Sequence, residues 1–379
     1  MRLSHRLSRG ELLALHRDLV STPSVSGDEV AIVALLSSFL QDHGATIELV
    51  GGSLVAWRGK ALVKGDLESV PLVVLNTHVD TVPPAPGWTR EPHQPSSVEG
   101  KVFGLGANDA KASVAAMVGA FLALSQLDLP FALVLMLVRG EETKSVGTAE
   151  VVAEFSRRRL VPTMAVVGEP TGLDLAVAQK GLLVLELVAR GEAAHAAHAR
   201  ALGARNAIVG LARDLTAIAG LPEGPLDPYL GRATVEPTVV SGGSARNVVP
   251  AEARAVLDCR TVPIEPPEAL LARLRAAVEG ELVVLSDRLV PVATDASSPL
   301  VEAALRARPT ARLYGSATLS DLTFFRGIPA VKVGPGESER SHRPDEFVLE
   351  QEIVDGAAFY ERLLIELAQG PAVDKGSAT

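Results

Sequence analysis

Two histidines and several carboxylates stand where apolar runs of the sequence end. Imidazole and carboxylate groups together suit zinc, cobalt or manganese ions. Two ions about 3.5 to 4 Å apart need a bridging carboxylate and one set of histidine and carboxylate for each ion. Five residues fill that requirement: His78, Asp109, Glu142, Glu169 and His342. Their types and order therefore indicate a site for two divalent ions.

Two of the acids near this predicted site also allow a purely structural interpretation. His78 precedes Asp80 by two residues, so the imidazole could face a cation while the carboxylate orients the ring. An aspartate capped within a turn explains Asp80 equally well. Asp109 begins a predicted helix, where an aspartate commonly accepts backbone N–H bonds as an N-cap.

The adjacent pair Glu141 and Glu142 has side chains that diverge, so one can bind a metal ion while the other faces bound water or substrate. A solvated pair of surface glutamates is the alternative. His342 lies in the loop GPGESERSHRPDE beside Asp345 and Glu346. A lone histidine is more often structural, but a rigid loop that presents acids beside it favours an active site.

The elements that must position these side chains are short buried strands. Runs of β-branched and aliphatic residues predict strands within 71–80, 131–142 and 163–171, and residues 109–124 predict a helix. Strands that alternate with helices imply an α/β sheet with helices on both of its faces. Ligands of such sheets collect beyond the carboxyl ends of the strands, where the predicted metal ligands lie.

From about residue 180 the pattern changes to the order β-α-β-β-α, and a helical pattern and the strand AVKVGP return only after Asp287. We therefore expect two domains. A mixed-sheet α/β catalytic domain is formed by residues 1–179 and 288–379, and a smaller inserted α+β domain of ferredoxin-like type is formed by residues 180–287. About the last ten residues, GPAVDKGSAT, are expected to be disordered.

Composition excludes several classes of protein. A chain of 379 residues with 47% hydrophobic and 21% charged residues is not a disordered chain. The net charge of −9 and the lack of a basic stretch argue against nucleic acid as a partner. The longest apolar run, residues 131–138, is far shorter than the roughly 20 residues of a membrane helix.

The N-terminal residues and the cysteine content are typical of a cytoplasmic protein. The first twenty residues predict an amphipathic helix and lack the features of a signal peptide. Cys259 is the single cysteine, so no internal disulfide can form. We expect a cytoplasmic protein with a small-molecule substrate.

Nine motifs follow one another along nearly the whole chain: NTHVDTVPP, GLGANDAKAS, RGEETKSVGT, VVGEPT, RGEAAHAAHA, GGSARNVVPAEA, LDCR, SDLTFFRGIPAV and GPGESERSHRPDEF. In this order they resemble the co-catalytic metallopeptidases and N-acyl amino acid deacylases, a family that contains acetylornithine deacetylase and succinyl-diaminopimelate desuccinylase. Each motif is unspecific alone, but nine in order are specific. The resemblance implies a hydrolase of linear amide C–N bonds with two divalent ions per chain, zinc first and cobalt or manganese as alternatives.

The resemblance also implies a role for each predicted ligand. Asp109 matches the carboxylate that bridges the two ions. His78 and Glu169 match the ligands of one ion, and Glu142 and His342 match those of the other.

Further roles follow from the same motifs. Glu141 matches the general base, and Asp80 matches the carboxylate that orients a ligand histidine. In the inserted domain, which the resemblance makes a lid and a homodimer interface, His195 matches a histidine that stabilises the oxyanion. Asn247 and Arg260 match positions that contact substrate, and the planar guanidinium of arginine suits a carboxylate.

Within the family, the motif order favours acetylornithine deacetylase, an enzyme of arginine biosynthesis. Succinyl-diaminopimelate desuccinylase, deacylases of acetylcitrulline or acyl-lysine, and di- or carboxypeptidases are the alternatives. A non-catalytic metal-binding dimer is an alternative of another class, although it would not need Glu141. A nucleotide-binding protein is disfavoured because GLGAND lacks the third glycine, and a serine hydrolase because no Gly-x-Ser-x-Gly occurs.

Overall fold

The computed structural model describes residues 6–58 and 70–370. The disorder expected at the C-terminus falls on residues that lie almost entirely outside this range. The described chain divides into two compact units. The first contains the chain up to Val177, Thr294–Tyr314 and the residues from Ser320 onward, and the second contains Ala178–Ala293 and Gly315–Leu319.

The described residues form α-helices, β-strands and short 3-10 helices. The helices are α1 (Arg9–Ser21), α2 (Val30–Asp42), α3 (Lys111–Ala123), α4 (Glu141–Lys144), α5 (Val146–Arg157), α6 (Ala207–Ala219), α7 (Pro267–Arg275), α8 (Pro299–Ala307) and α9 (Glu350–Gln369). The strands are β1 (Thr46–Val50), β2 (Ser53–Arg58), β3 (Leu72–His78), β4 (Ser96–Val98), β5 (Lys101–Phe103), β6 (Ala132–Val138), β7 (Met164–Val167), β8 (Leu175–Gln179), β9 (Gly181–Arg190), β10 (Ala194–His195), β11 (Thr234–Gly242), β12 (Val248–Val249), β13 (Glu252–Thr261), β14 (Glu281–Leu289), β15 (Val292–Ala293), β16 (Leu313–Ser316), β17 (Ala330–Lys332) and β18 (Phe347–Leu349). Short 3-10 helices cover Leu124–Gln126, Asp321–Phe325 and Ser338–Arg340.

The large sheet is mixed, as the sequence predicts. Its strands follow the order β1-β2-β6-β3-β7-β17-β8-β15, and β16 also pairs with β8. The four central strands β6, β3, β7 and β17 are parallel to one another, while β1 and β2 are antiparallel. The parallel strands are short apolar runs buried on both faces, which is typical of a sheet covered by helices.

Helices cover both faces of this sheet. Successive residues of a strand point to opposite faces. Leu135 of β6 belongs to the same buried cluster as the apolar residues of α3. Its neighbour Val134 pairs with Trp57, whose ring packs against Phe155 of α5 with 5.3 Å between the ring centroids. The predicted fold class is therefore confirmed for the described chain.

Helix α3 is buried over almost its whole length. Every residue from Lys111 to Leu122 is buried, as expected for a helix that is apolar on all sides. It packs between α1 and α9. The helix begins after Ala110, which occupies the N-cap position. The N-cap interpretation of Asp109 is therefore wrong, and this carboxylate is available for other contacts.

The second unit is built on an antiparallel sheet with the order β11-β13-β9-β14. Helices α6 and α7 pack on one face, around a buried apolar cluster that includes Leu185, Leu211, Leu257 and Leu270. The helices and the strands of this sheet follow the order β9-α6-β11-β13-α7-β14, which contains one strand more than the sequence predicts, while β10 and β12 form a separate pair. The additional strand β14 lies at the sheet edge. Most of its side chains are exposed, although its sequence contains the apolar run LVVL.

Helices that could span a membrane are not found among the described residues.

Candidate metal centre

The carboxyl ends of three adjacent parallel strands place most of the predicted site residues at one edge of the large sheet. His78 is the last residue of β3 and pairs with Val138, the last residue of β6. Two residues beyond β7 comes Glu169, and three residues beyond β6 comes Glu141. Because these strands are parallel neighbours, the side chains that follow them meet at the same edge.

Asp109 lies between the two histidines of the site. Its Oδ1 atom is 3.2 Å from Nε2 of His78, and its Oδ2 atom is 3.7 Å from Nε2 of His342. One carboxylate thus presents a different oxygen to each imidazole. This is the arrangement that a carboxylate shared by two metal ions requires.

The other predicted ligands extend this arrangement on either side. Nε2 of His342 is 3.0 Å from Oε1 of Glu142, and Nε2 of His78 is 4.0 Å from Oε1 of Glu169. Two sets of three side chains each bring one ligand atom within 4.8 Å of the others: His78 with Glu141 and Glu169, and His78 with Asp109 and Glu142. The structure therefore brings together all five predicted ligands and the predicted general base.

The protonation of His78 is fixed by its neighbour. Its Nδ1 atom is 3.0 Å from the backbone carbonyl oxygen of Asp80, and a carbonyl can only accept, so Nδ1 carries the proton. Nε2 then presents a lone pair toward Asp109 whenever the ring is neutral. Burial disfavours the charged ring, but the carboxylates of Asp109 and Asp80 outweigh this effect and raise the pKa of His78 well above its usual value.

The carboxylate of Asp80 lies beside His78 and also bonds to the start of a helix. Its Oδ1 atom is within ion-pair distance of Nδ1 of His78, at 3.6 Å, so its predicted role of orienting this ring stays a prediction. The carboxylate accepts backbone N–H bonds from Glu141 at 3.1 Å and Glu142 at 3.2 Å. It also accepts a hydrogen bond of 2.6 Å from the hydroxyl of Ser26. Asp80 therefore holds the start of α4, the helix turn that presents both glutamates.

The acids of the site are crowded and largely shielded from solvent. Burial and repulsion by Glu169 raise the pKa of Glu141 well above its usual value. Burial and repulsion by Asp109 raise the pKa of Glu169 to about 8. Crowded carboxylates of this kind are stabilised by cations, and the two imidazoles complete a donor set that divalent zinc, cobalt or manganese accepts. The residues present fit two such ions.

A buried lysine near these acids was missed by the sequence reasoning. Lys332 is only 3% exposed and pairs with Val167, two residues before Glu169. Burial lowers the pKa of Lys332, while the charges of Glu169 and Glu141 act in the opposite direction. The signal in the sequence is the single charged residue inside the apolar run AVKVG. It places a basic side chain beside the predicted metal ligands.

A second residue that the sequence reasoning missed, Asp321, forms a hydrogen bond to β3. Asp321 is buried, and its Oδ2 atom accepts hydrogen bonds from Thr148 at 2.6 Å and from Asn76 at 3.2 Å. Asn76 lies two residues before His78 on the same face of β3. This network ties the strand that carries a predicted ligand to α5 and to the 3-10 helix at 321–325.

Three predicted site residues lie in the second unit. His195 is exposed, and its Nδ1 atom accepts the backbone N–H of Ala197 at 3.2 Å, which leaves the proton of the neutral ring on Nε2. Asn247 is exposed. The guanidinium of Arg260 is paired with Asp258 of the same strand at 2.8 and 3.2 Å. Their predicted roles toward substrate stay predictions.

Comparison with protein families places the chain by sequence. Residues 74–366 match Peptidase family M20/M25/M40. A peptidase M20 domain-containing protein of Schizosaccharomyces pombe is 30% identical over 372 residues, which cover 93% of this chain and 84% of that protein. A probable carboxypeptidase of Aspergillus clavatus is 35% identical over 264 residues, 66% of this chain and 57% of that protein. The chain thus spans little more than half the length of this second relative.

Solved structures of similar fold include peptidases. The aminopeptidase PepT of Bacillus cereus has a TM-score of 0.76 and 23% identity, and the match covers 96% of this chain and all of that one (100%). The YXEP protein of Bacillus subtilis, described as a dinuclear metal-binding peptidase from the M20 family, has a TM-score of 0.71 and 18% identity, with 95% and 98% of the two chains covered. At these identities the likeness concerns the fold. The sequence matches show that this chain belongs to Peptidase family M20/M25/M40.

Proposed function

We propose that the chain is a di-metal amidohydrolase that removes the acyl group from an N-acyl amino acid, with N-acetylornithine as the first candidate substrate. The observation that supports this most directly is the position of Asp109, whose two oxygens lie 3.2 Å from His78 and 3.7 Å from His342. A carboxylate shared by two imidazole-bearing positions is the central requirement of a two-ion hydrolase.

The five ligands divide into two sets around Asp109 in this proposal. His78 and Glu169 hold one ion, and Glu142 and His342 hold the other. Zinc is the first candidate, with cobalt and manganese as alternatives. Divalent ions in such a site polarise the scissile carbonyl and make water more acidic.

Glu141 is the proposed general base. It lies in the same cluster as His78 and Glu169, and the backbone N–H bond to Asp80 fixes its position at the start of α4. A raised pKa suits a carboxylate that must take a proton and then release it. Glu141 would accept the proton of the attacking water and deliver it to the leaving amine.

The second unit supplies the proposed contacts to substrate. His195, with its proton on Nε2, is suited to donate a hydrogen bond to an oxyanion. Arg260 would exchange its pairing with Asp258 for the α-carboxylate of the substrate, and Asn247 would contact the acyl amide. These roles require the second unit to act as a lid, within one chain or across a dimer.

A homodimer through the second unit is part of the proposal. The edge strand β11 exposes Val239 at 57% and Val240 at 61%. An edge strand with exposed apolar residues is commonly paired with or covered by a partner, and a two-fold symmetric dimer is the commonest form of such pairing.

A carboxypeptidase is the second candidate function, favoured because several relatives at 33 to 35% identity are named probable carboxypeptidases. The two candidates share one chemical feature. Both an N-acyl amino acid and the end of a peptide offer an amide bond next to a residue with a free α-carboxylate.

A substrate screen separates the candidates. Protein stripped with chelator and reloaded with zinc, cobalt or manganese would be assayed on N-acetylornithine, N-acetylcitrulline, N-succinyl-diaminopimelate, N-acetyl-lysine and N-blocked dipeptides. We expect the highest kcat/KM on N-acetylornithine. A clear preference for N-blocked dipeptides would establish the carboxypeptidase, and no metal-dependent hydrolysis of any of these amides would overturn the proposal.

A further inference from the structure

Two loops of the first unit each carry one proposed ligand. Both loops extend from the same end of the antiparallel strand pair β5 and β18. Asp109 ends the loop 104–109, which follows β5, and His342 lies in the loop 336–346, which precedes β18. β5 and β18 are antiparallel neighbours, with Phe103 paired to Phe347. The separation of Asp109 from His342 therefore depends on what joins the two loops beyond this strand pair.

Glu346 joins them through its side chain. It is 3% exposed, and its carboxylate accepts three backbone N–H bonds from the opposite loop. Oε1 accepts from Asn108 at 2.8 Å and from Asp109 at 2.9 Å, and Oε2 accepts from Gly106 at 3.0 Å. The carboxylate thus fixes the backbone of Asp109 to a residue four positions after His342.

The side chain of Asn108, in the loop of Asp109, bonds to the loop of His342. Its Oδ1 atom accepts the backbone N–H of Glu337 at 3.0 Å, and its Nδ2 atom donates to the carbonyl of Glu337 at 3.0 Å and to the hydroxyl of Ser341 at 3.1 Å. Gly336, with φ of 84°, allows this approach, because a Cβ atom there would collide with Oδ1 of Asn108. The residue before Asp109 is therefore bonded to the residue before His342.

We propose that Glu346 and Asn108 are positioning residues that set the separation of Asp109 and His342. They thereby control the affinity for the ion that Glu142 and His342 would hold. This inference rests on the proposed function, since the ligand sets are proposed there. Bonds from ligand atoms to zinc are about 2 Å long, so a small shift of either loop would remove one ligand from reach. The ion held by His78 and Glu169 would keep these two ligands at strand ends and would share only Asp109 with the loops, so its affinity should change less.

Three substitutions test the role of these contacts. Glu346→Gln keeps the size of the side chain but replaces one acceptor oxygen with an N–H donor, so at least one of the three backbone N–H groups loses its partner. Asn108→Leu removes the contacts to Glu337 and Ser341 and leaves the Glu346 carboxylate in place. Asp345→Asn is the matched control, because it removes the same charge from the same loop. Asp345 bonds to Thr89, at 2.6 and 3.0 Å, and not to the loop of Asp109.

The measurement is metal binding by the full chain. Chelator-stripped proteins would be titrated with Mn²⁺ by calorimetry, and the Mn²⁺-loaded proteins examined by electron paramagnetic resonance for coupling between the two ions. We expect the wild type and Asp345→Asn to bind two coupled ions per chain. In Glu346→Gln and Asn108→Leu, we expect one ion to bind within threefold of wild-type affinity and the other to be weakened ten- to a hundredfold, the usual effect of losing a group that orients a ligand.

The outcomes are distinguishable. If both variants bind two coupled ions as tightly as wild type, the positioning role is overturned while the proposed function stands. If Asp345→Asn is weakened equally, the charge of the loop and not these hydrogen bonds controls affinity, which also overturns it. If the wild type binds fewer than two ions, the proposed function fails and the inference fails with it. Circular dichroism of the metal-free proteins verifies folding, and Asn108→Leu decides the test if Glu346→Gln does not fold.

Discussion

The carboxylate of Asp80 accepts the backbone N–H of Glu141 at 3.1 Å. The proposed base is therefore oriented through its main chain, by an acid from the neighbouring strand end. Because its side-chain oxygens are not used in this contact, they remain available for proton transfer. A conservative change at Glu141 should then affect chemistry without disturbing the backbone around it.

Replacement of Glu141 by alanine should leave two metal ions per chain and lower kcat by about 10² to 10⁴, the usual contribution of a general base. Metal analysis and steady-state kinetics on the best substrate check this. Glu150→Gln, on the exposed side of α5, is the control and should retain both properties. Near-normal kcat in Glu141→Ala would exclude the assignment.

Replacement of His342 by alanine should remove one ion. The ion shared with Glu142 loses a terminal ligand, whereas His78 and Glu169 still hold the other. Elemental analysis after dialysis should give about one ion per chain, as expected when each ion of a two-ion site has its own terminal ligands. His198 is an exposed histidine of the second unit, and the control His198→Ala should retain two ions. Two tightly held ions in His342→Ala would show that His342 is not a ligand.

Replacement of His195 by alanine should lower kcat by about 10² to 10³, the usual effect of losing an oxyanion donor, with metal content unchanged. Mixing this variant with Glu141→Ala tests whether the histidine acts across a dimer. Recovery of activity in verified heterodimers indicates action across the interface. Absence of recovery restricts His195 to its own chain, and unchanged kcat in the single variant would contradict its role.

Lys332→Met should bind divalent ions more tightly than wild type, on the order of tenfold at pH 7. The reason is that a positive charge beside Glu169 and Glu141 repels a cation in a buried site of low dielectric. Lys332→Arg keeps the charge and is the control. Titration with metal measures the affinity of each protein. Equal or weaker metal binding by Lys332→Met would contradict the repulsion, because it is the result expected of a lysine that serves only packing.

The free energy of unfolding should depend on the protonation of His16. This histidine is fully buried, and burial lowers its pKa to about 4 from a normal value of 6.5. Between these values the unfolded chain binds a proton that the folded chain does not, so stability falls as pH falls from 6.5 toward 4.

The size of this effect can be measured against a variant. His16 should contribute about 2 kcal/mol of lost stability between pH 7.5 and pH 5. His16→Gln, whose amide can still donate to the carbonyl of Ala107, removes the titrating group. Urea unfolding of both metal-free proteins at the two pH values should show the smaller loss in the variant. Equal losses would show that His16 is not the group responsible.

The sequence predicts the strands that carry the site because they are buried parallel strands with continuous apolar runs. β3, β6 and β7 lie where they were predicted, and the acids that follow them meet at one edge. The edge strands β1 and β14 were missed. β1 is short and has no buried residue, and β14 contains the apolar run LVVL but exposes most of its side chains. Helix α2 and strand β8 were also not assigned.

Contacts between distant parts of the chain set the limit of sequence reasoning at the site. The pairing of Glu346 with the loop of Asp109 spans more than 230 residues, and nothing in the local sequence of either loop specifies it. The carboxylate of Asp80 illustrates the same limit. Its residue type predicts a hydrogen bond, but only the folded chain shows that the donors are Glu141 and Glu142.

The chain leaves the first unit after Val177 and returns to it at Thr294, and these two residues are hydrogen-bonded, with 2.8 Å between the Thr294 nitrogen and the Val177 oxygen. The intervening segment therefore begins and ends on the neighbouring antiparallel strands β8 and β15. A short hairpin turn between these two strands could replace the whole segment. Such an attachment allows the segment to be lengthened, exchanged or lost during evolution without altering the strand order that carries the metal ligands.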